Sequence, residues 1–339
     1  MGSMRTRRLG TQGLEVSALG LGTMGMSGVA GMPLMYGEPD EAEGIATIRR
    51  ALDLGVNFFD TAEVYGPYTN EILLGKALAG RRHEAVIATK FGFTFSIDNK
   101  IAGLDGRPEN VHKALDGCLQ RLGTDYIDLW YQHRRDRNVP IEETVGAMAE
   151  QVKAGKVRFL GLSEMGVETI RRAHAVHPIS AVQSEYSLWT RNPEIAVLQA
   201  CRDIGAAFVA FSPTARAFLT GKLRDVTTLD AKDIRRSMPR FQAPHWAANQ
   251  ALLPRFAQLA ADLGLTPAQL ALAWVLHQAP HVVAIPGTTS EAHVRDNFAA
   301  GAVRLDGATL QALGALINPQ TVSGERYDAQ ATSEVDTER

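Results

Sequence analysis

Val56-Asn57-Phe58-Phe59-Asp60-Thr61-Ala62-Glu63-Val64-Tyr65-Gly66 is the stretch on which the reading of this chain turns. An apolar run ends on a carboxylate, and a tyrosine follows in the next loop. Two further runs end in the same way: residues 85–89 lead into Lys90, and residues 126–131 into Gln132-His133. Short apolar runs bounded by polar or turn residues read as strands buried on both faces. Counting outward gives eight of them, at 18–21, 56–59, 85–89, 126–131, 157–162, 181–183, 206–211 and 282–285.

Between them lie stretches of helical period at 41–54, 70–79, 108–122, 140–154, 167–175, 194–204, 248–263, 267–278, 291–300 and 308–316. Pro108 in a first turn and Gly123 after a last one are the expected helix punctuation. Strand followed by helix, repeated, means parallel βαβ units. Eight such units close a (β/α)8 barrel, although an open doubly wound sheet uses the same local pattern. Residues 7–9 and 14–17 flank Gly10-Thr11-Gln12-Gly13 and predict an N-terminal β-hairpin. The charged, proline-containing segment 221–254 reads as an excursion from one domain spanning residues 5–330. Residues 331–339 read as a polar, frayed tail.

Composition narrows the function. The 339 residues are 45% hydrophobic and 21% charged, which excludes disorder and coiled coil for the bulk of the chain. Lys and Arg number 35 against 37 Asp and Glu, so no global basic field invites nucleic acid or an anionic membrane. Cys118 and Cys201 are too few for a disulfide framework or a cysteine-rich zinc site, and no metal is expected; their rarity fits the cytosol. No apolar run approaches the ~20 residues of a membrane helix. Residues 1–3 read as a cloning remnant, with Met4 the natural start.

Gly20-Leu21-Gly22-Thr23-Met24-Gly25 spells G-x-G-x-x-G. A dinucleotide-binding turn of that type must open a helix and meet an acidic residue at the end of the next strand. Here the following stretch lacks helical period, so the glycines are expected to let a strand end pass close to a ligand.

Barrel enzymes keep reacting groups at the carboxyl ends of their strands. Asp60, Lys90 and His133 end consecutive strands, and Tyr65 follows the first of them. Each alone has an ordinary reading as a solvated end, a helix cap or a packing residue. Together they are four acid-base groups at one barrel mouth. A lysine there is costly to bury unless paired, and Asp60 is its partner.

These motifs resemble the aldo-keto reductases. Asp60-Thr61-Ala62-Glu63-Val64-Tyr65-Gly66, Ala88-Thr89-Lys90-Phe91-Gly92, Gln132-His133-Arg134, Gly161-Leu162-Ser163-Glu164, Gln183-Ser184-Glu185-Tyr186 and Ile285-Pro286-Gly287-Thr288 carry the likeness in order, from about residue 8 to residue 327. Pro239-Arg240-Phe241 points to the bacterial and plant branch that also resembles potassium-channel β subunits.

The resemblance implies a (β/α)8 barrel binding NADPH, with NADH as an alternative, and reducing a small-molecule carbonyl. Tyr65 would be the general acid, Lys90 would lower its pKa, Asp60 would orient Lys90, and His133 would hold the carbonyl. Ser163, Glu164 and Gln183 would hold the nicotinamide carboxamide, with Phe211 stacked on its ring. Gly22, Thr23, Met24, Ser212, Pro213, Thr214, Ala215, Gly221, Gly287 and Thr288 would complete the cofactor site. Arg216 would meet the pyrophosphate and Asp296 and Asn297 the adenine.

Two glycines of the family's loop stand here as Ala215 and Ala217, reducing its freedom to take positive φ. The Lys-Arg pair that many relatives carry after Gly-Thr is Thr289-Ser290, leaving Thr289, Ser290, His293 and Lys222 for a 2′-phosphate. Met24, Tyr36, Phe91, Phe93, Trp189 and Trp246 are the expected substrate walls. The alternatives to a reductase are a cofactor-binding regulatory subunit of the channel-β kind and a Rossmann dehydrogenase.

Overall fold

A computed structural model describes residues 5–32 and 35–335 of the chain; the expected cloning remnant lies outside them. Eight parallel strands form one sheet in chain order: β1 (Leu21–Gly22), β2 (Phe58–Asp60), β3 (Val86–Phe91), β4 (Ile127–Gln132), β5 (Val157–Ser163), β6 (Ile179–Glu185), β7 (Ala207–Phe211) and β8 (Val282–Ile285). Bridges from Leu19 to Ala284 and from Gly22 to Gly287 join the first strand to the last and close the barrel. An open sheet would leave those two edges apart.

Helices α1 (Glu41–Asp53), α2 (Thr69–Ala77), α3 (Pro108–Leu122), α4 (Ile141–Lys153), α5 (Val167–Val176), α6 (Val197–Asp203), α7 (Pro267–Gln278) and α8 (Glu291–Ala299) surround it. Their boundaries follow local chemistry. Thr266 and Gln269 cap α7 reciprocally, Pro267 sits in its first turn, and Gly123 closes α3 at φ +63°.

The core has two layers. Phe58, Ala88, Leu129, Tyr131, Val209 and Val283 fill the barrel, while residues such as Phe59, Trp130 and Phe208 pack outward against the helices. The expected hairpin, Thr6–Leu9 with Leu14–Ser17, is present, and its Leu9, Leu14 and Val16 join the barrel interior at the end opposite the site. Arg7 ties it to the end of α7 by donating to the carbonyls of Leu276 at 2.5 Å and Ala279 at 3.0 Å.

Three features differ from the sequence reading. A second hairpin, Phe93–Phe95 with Ile101–Leu104, follows β3. The helix expected at 248–263 is broken into His245–Gln250 and Leu253–Asp262. Residues 329–333 form a helix capped by Asp328, and Ala331, Glu334 and Val335 wall the central cavity instead of fraying.

The Gly20 expectation also changes. A Cβ there would lie 2.7 Å from Phe58 Cδ1, so Gly20 is small to let the barrel interior pack. Gly22 and Gly25 do border the cavity.

Candidate active site

The carboxyl ends of the strands surround a cavity of about 710 Å³. β2 ends on Asp60, and β3 carries Lys90 one residue before its end; both side chains point into the barrel and are buried. Strand alternation sets this, because neighbours along a strand face opposite ways. Phe91 must therefore point outward, where it stacks on Trp130 at 4.4 Å. It is no wall of the cavity, contrary to expectation.

Lys90 Nζ donates to Asp60 Oδ1, to the carbonyl of Thr61 at 2.8 Å and to Tyr65 Oη at 3.5 Å. Gln183 Nε2 donates to the other carboxylate oxygen of Asp60 at 2.7 Å. His133 stands edge-on to Tyr65, with ring centroids 6.0 Å apart, and Phe93 edge-on to His133 at 5.1 Å. Tyr65, His133, Phe93, Met24 and Tyr36 all line the cavity.

The electrostatics follow from burial and one ion pair. Burial alone lowers Lys90, but Asp60 and Tyr65 outweigh it, so the ammonium is held above its ordinary value. Burial raises the Tyr65 phenol, and Lys90 pulls it back only in part while Asp60 raises it further. The expected lowering by Lys90 is real as a contribution, but the net direction is upward. His133 is pushed well below the usual imidazole value by burial, then by Arg134 and Lys90, so it is neutral.

Two supports were not legible in sequence. Asn70, fully buried at the start of α2, donates to the carbonyl of Thr23 at 2.8 Å and accepts from Thr61 Oγ1 at 2.7 Å. Thr23 Oγ1 donates to the Asp60 carbonyl at 2.8 Å, so Thr23 is structural packing beneath Asp60 and does not border the cavity. Glu63 Oε1 accepts from the Gly92 backbone at 2.8 Å, and burial pushes its carboxyl up to about 8.

Of the expected cofactor residues, Ser163, Gln183, Phe211, Ser212, Pro213 and Thr214 border the same cavity as Tyr65 and His133. Glu164 does not. Its carboxylate is gripped by Arg326 at 2.5 and 3.0 Å and accepts from the Glu185 backbone at 2.8 Å. Arg216 borders the cavity but is spoken for: it pairs with Glu185 at 3.1 Å and donates to Tyr36 Oη at 2.9 Å. Ala215 is buried in its loop, and Gly221 ends the following turn away from the cavity.

The loop after β7 takes the left-handed conformation despite its alanines, with φ of +49° at Ser212, +54° at Ala215, +53° at Arg216 and +70° at Ala217. Strain of this kind, about 1 kcal/mol or more per residue, gathers at functional sites.

The far half of the cavity is bordered by Lys222, Gly287, Thr288, Thr289, His293, Asp296 and Asn297. Lys222 Nζ lies 3.2 Å from His293 Nε2, and His293 Nδ1 3.4 Å from Thr288 Oγ1. The Asp296 carboxylate is tied to Gln269 at 2.9 Å and Thr266 at 3.1 Å. Trp189 and Trp246 miss the cavity: Trp189 stacks on Phe218 at 4.1 Å and Trp246 on Phe241 at 5.5 Å. Val29, Met35, Val64, Ile101 and Tyr327 take their place as walls.

The aldo/keto reductase family matches residues 18–318. The probable aldo-keto reductase 1 of Glycine max is 46% identical over 323 residues, covering 94% of this chain and 91% of that protein. The glycerol dehydrogenase of Gluconobacter oxydans has a TM-score of 0.84 at 31% identity, over 93% of this chain and 95% of the other. An aldo/keto reductase of Klebsiella pneumoniae, solved in complex with NADP and acetate, has a TM-score of 0.72 at 29% identity, over 96% of this chain and 99% of the other. The chain belongs to the aldo/keto reductase family and is an oxidoreductase.

Proposed function

We propose that this chain reduces the carbonyl group of aldehydes or ketones to an alcohol, using NADPH in preference to NADH. The observation that carries the reading is the Tyr65 hydroxyl, 3.5 Å from the Lys90 ammonium and beside a neutral His133 at the wall of one cavity.

The donor set of the cavity fits a nicotinamide dinucleotide. Ser163, Gln183 and the ring of Phe211 stand near the catalytic group, while Lys222, Thr288, Thr289 and the start of α8 stand at the other end. Lys222, with no carboxylate partner among the described residues, suits a phosphate. When bound, the dihydronicotinamide supplies the hydride. Tyr65 Oη holds the proton destined for the carbonyl oxygen, and Lys90 stabilises the phenolate left behind, which burial alone would make costly. Asp60 keeps Lys90 charged and aimed. His133, neutral, can donate a hydrogen bond to the same carbonyl oxygen and orient it.

The reading takes residues 5–330, with the segment 331–335 folded onto the cavity, as one catalytic domain working on small molecules in the cytoplasm, with neither nucleic acid nor membrane as partner. The near-balanced charge and two buried thiols, Cys118 and Cys201, support this. The NADP bound by the Klebsiella pneumoniae relative supports the cofactor. NADPH consumption with 4-nitrobenzaldehyde at ordinary enzyme concentration tests the reading, and absence of turnover with a panel of carbonyls and both cofactors would refute it.

A further inference from the structure

The catalytic end of the cavity holds one cation that the carbonyl chemistry above does not use. Arg134 follows His133 directly and borders the cavity, half-buried. Its Nη1 donates to the His133 carbonyl at 2.7 Å and to Ser163 Oγ at 3.1 Å. Those two bonds fix the guanidinium beside the catalytic histidine. Its Nε and Nη2 make no hydrogen bond among the described residues, and it forms no ion pair with them.

The other basic groups of the cavity are placed differently. Lys90 is paired with Asp60, Arg216 with Glu185 at 3.1 Å and Arg235 with Asp233 at 2.6 Å. Lys222 lies at the far end beside His293. Arg134 is thus the cation at the catalytic end with donors to spare. Its charge reaches both reacting side chains, opposing the burial that raises Tyr65 and adding to the burial that lowers His133.

The cavity walls include the apolar Met24, Val29, Met35, Val64 and Phe93. Of the carboxylates that also line the cavity, Asp60 is paired with Lys90, Asp296 is tied to Gln269 and Thr266, and Glu334 stands on the C-terminal segment; none pairs with Arg134. An arginine fork in such a setting matches a planar carboxylate, and one unpaired cation matches one negative charge better than a phosphate dianion.

We infer that the favoured substrates are carbonyl compounds that also carry a carboxylate on an apolar body, with Arg134 receiving the carboxylate while the carbonyl oxygen lies between Tyr65 and His133. This rests on the carbonyl-reductase reading above. A polar group built to receive a charge discriminates strongly against the uncharged analogue, because it is then left unmatched.

The test compares 4-carboxybenzaldehyde with 4-nitrobenzaldehyde, two aldehydes of similar shape. Between wild type and Arg134→Gln, the ratio of kcat/KM for the acid over the neutral aldehyde should fall by about ten- to a hundredfold, mainly through KM. Arg134→Lys should recover part of it. An unchanged ratio overturns the inference. So does an equal loss of kcat on both aldehydes, which would make Arg134 an electrostatic aid to Tyr65.

Binding provides a readout independent of turnover. Calorimetry with the full chain, with and without NADPH, should find benzoate bound at least about tenfold more tightly than benzamide, a preference lost in Arg134→Gln. Equal affinities overturn the inference even if aldehydes are reduced. A benzoate preference that depends on Arg134, without NADPH oxidation by either aldehyde, upholds the carboxylate site and removes only the reductase reading.

Discussion

The two ends of the cavity are built on opposite principles. At the catalytic end, Asp60, Lys90 and Glu63 are buried, and each has a bonded partner of fixed geometry. At the far end, Lys222 and His293 are exposed, and Thr288, Thr289 and Ser290 offer hydroxyls and backbone amides rather than a fork of charges. Burial makes a charge strongly dependent on its neighbours, whereas solvent screens it. The catalytic end should thus tolerate almost no substitution, while the far end should be adjustable in small steps.

The largest effect should come from Tyr65→Phe. Removing the proton donor should lower kcat by about 10²–10⁴-fold while an NADPH titration stays nearly unchanged. Normal turnover would remove Tyr65 from the chemistry and dissolve the contrast between the two ends. Lys90→Met should cost a similar factor, and adding Tyr65→Phe to it should cost little more, because the two act as one unit. Fully multiplicative losses would make Lys90 a structural residue only. Asp60→Asn should be milder than either.

At the far end the changes should be graded. Lys222→Met should weaken NADPH by about tenfold and NADH little, since one exposed charge-assisted contact is lost. Thr289→Lys combined with Ser290→Arg should tighten NADPH alone. Dissociation constants for both cofactors decide this, and equal responses of NADPH and NADH would mean that no 2′-phosphate site exists there.

Glu63 sharpens the comparison through pH. Its folded value, about 8, lies above its ordinary 4.5, so the folded state keeps a proton that the unfolded chain has lost. That contribution to stability is fully present below 4.5 and is lost as pH rises toward about 8, which makes unfolding easier at the alkaline end. Glu63→Gln should flatten the decline in denaturation midpoint across that window. An unchanged slope would show that Glu63 is ionised throughout.

The smallest effect is expected between the two ends, in the loop after β7. Ala217, at φ +70°, sits where glycine costs less. Ala217→Gly should raise stability by about 0.5–1 kcal/mol, the relief of left-handed strain being partly offset by greater freedom in the unfolded chain. A loss of stability would place the methyl group in a contact worth more than the strain.

Much of this architecture is local and can be read without coordinates. An apolar run bounded by turns makes a buried strand, a period of 3.6 makes a helix face, and eight repeats make eight units. The strand ends that carry Asp60, Lys90 and His133 were legible for the same reason. Facing was legible in principle for Phe91 too, since it adjoins the inward Lys90, but an aromatic next to a reacting group is easily counted as its wall.

The sequence by itself determined the strand and helix order and the placing of Asp60, Lys90 and His133 at strand ends around the mouth, because these depend on neighbours a few residues apart. Tertiary structure alone decided which charges are available. Glu164 is withdrawn from the cavity by Arg326, 162 residues away, and Arg216, which stays at the cavity wall, is paired with Glu185, 31 residues away. It also decided that Ala331, Glu334 and Val335 wall the cavity, and that Arg134, at the same wall, bonds only through Nη1 among the described residues. An ion pair depends on distance in space and on shared burial, neither of which is recorded in the spacing of residues along the chain.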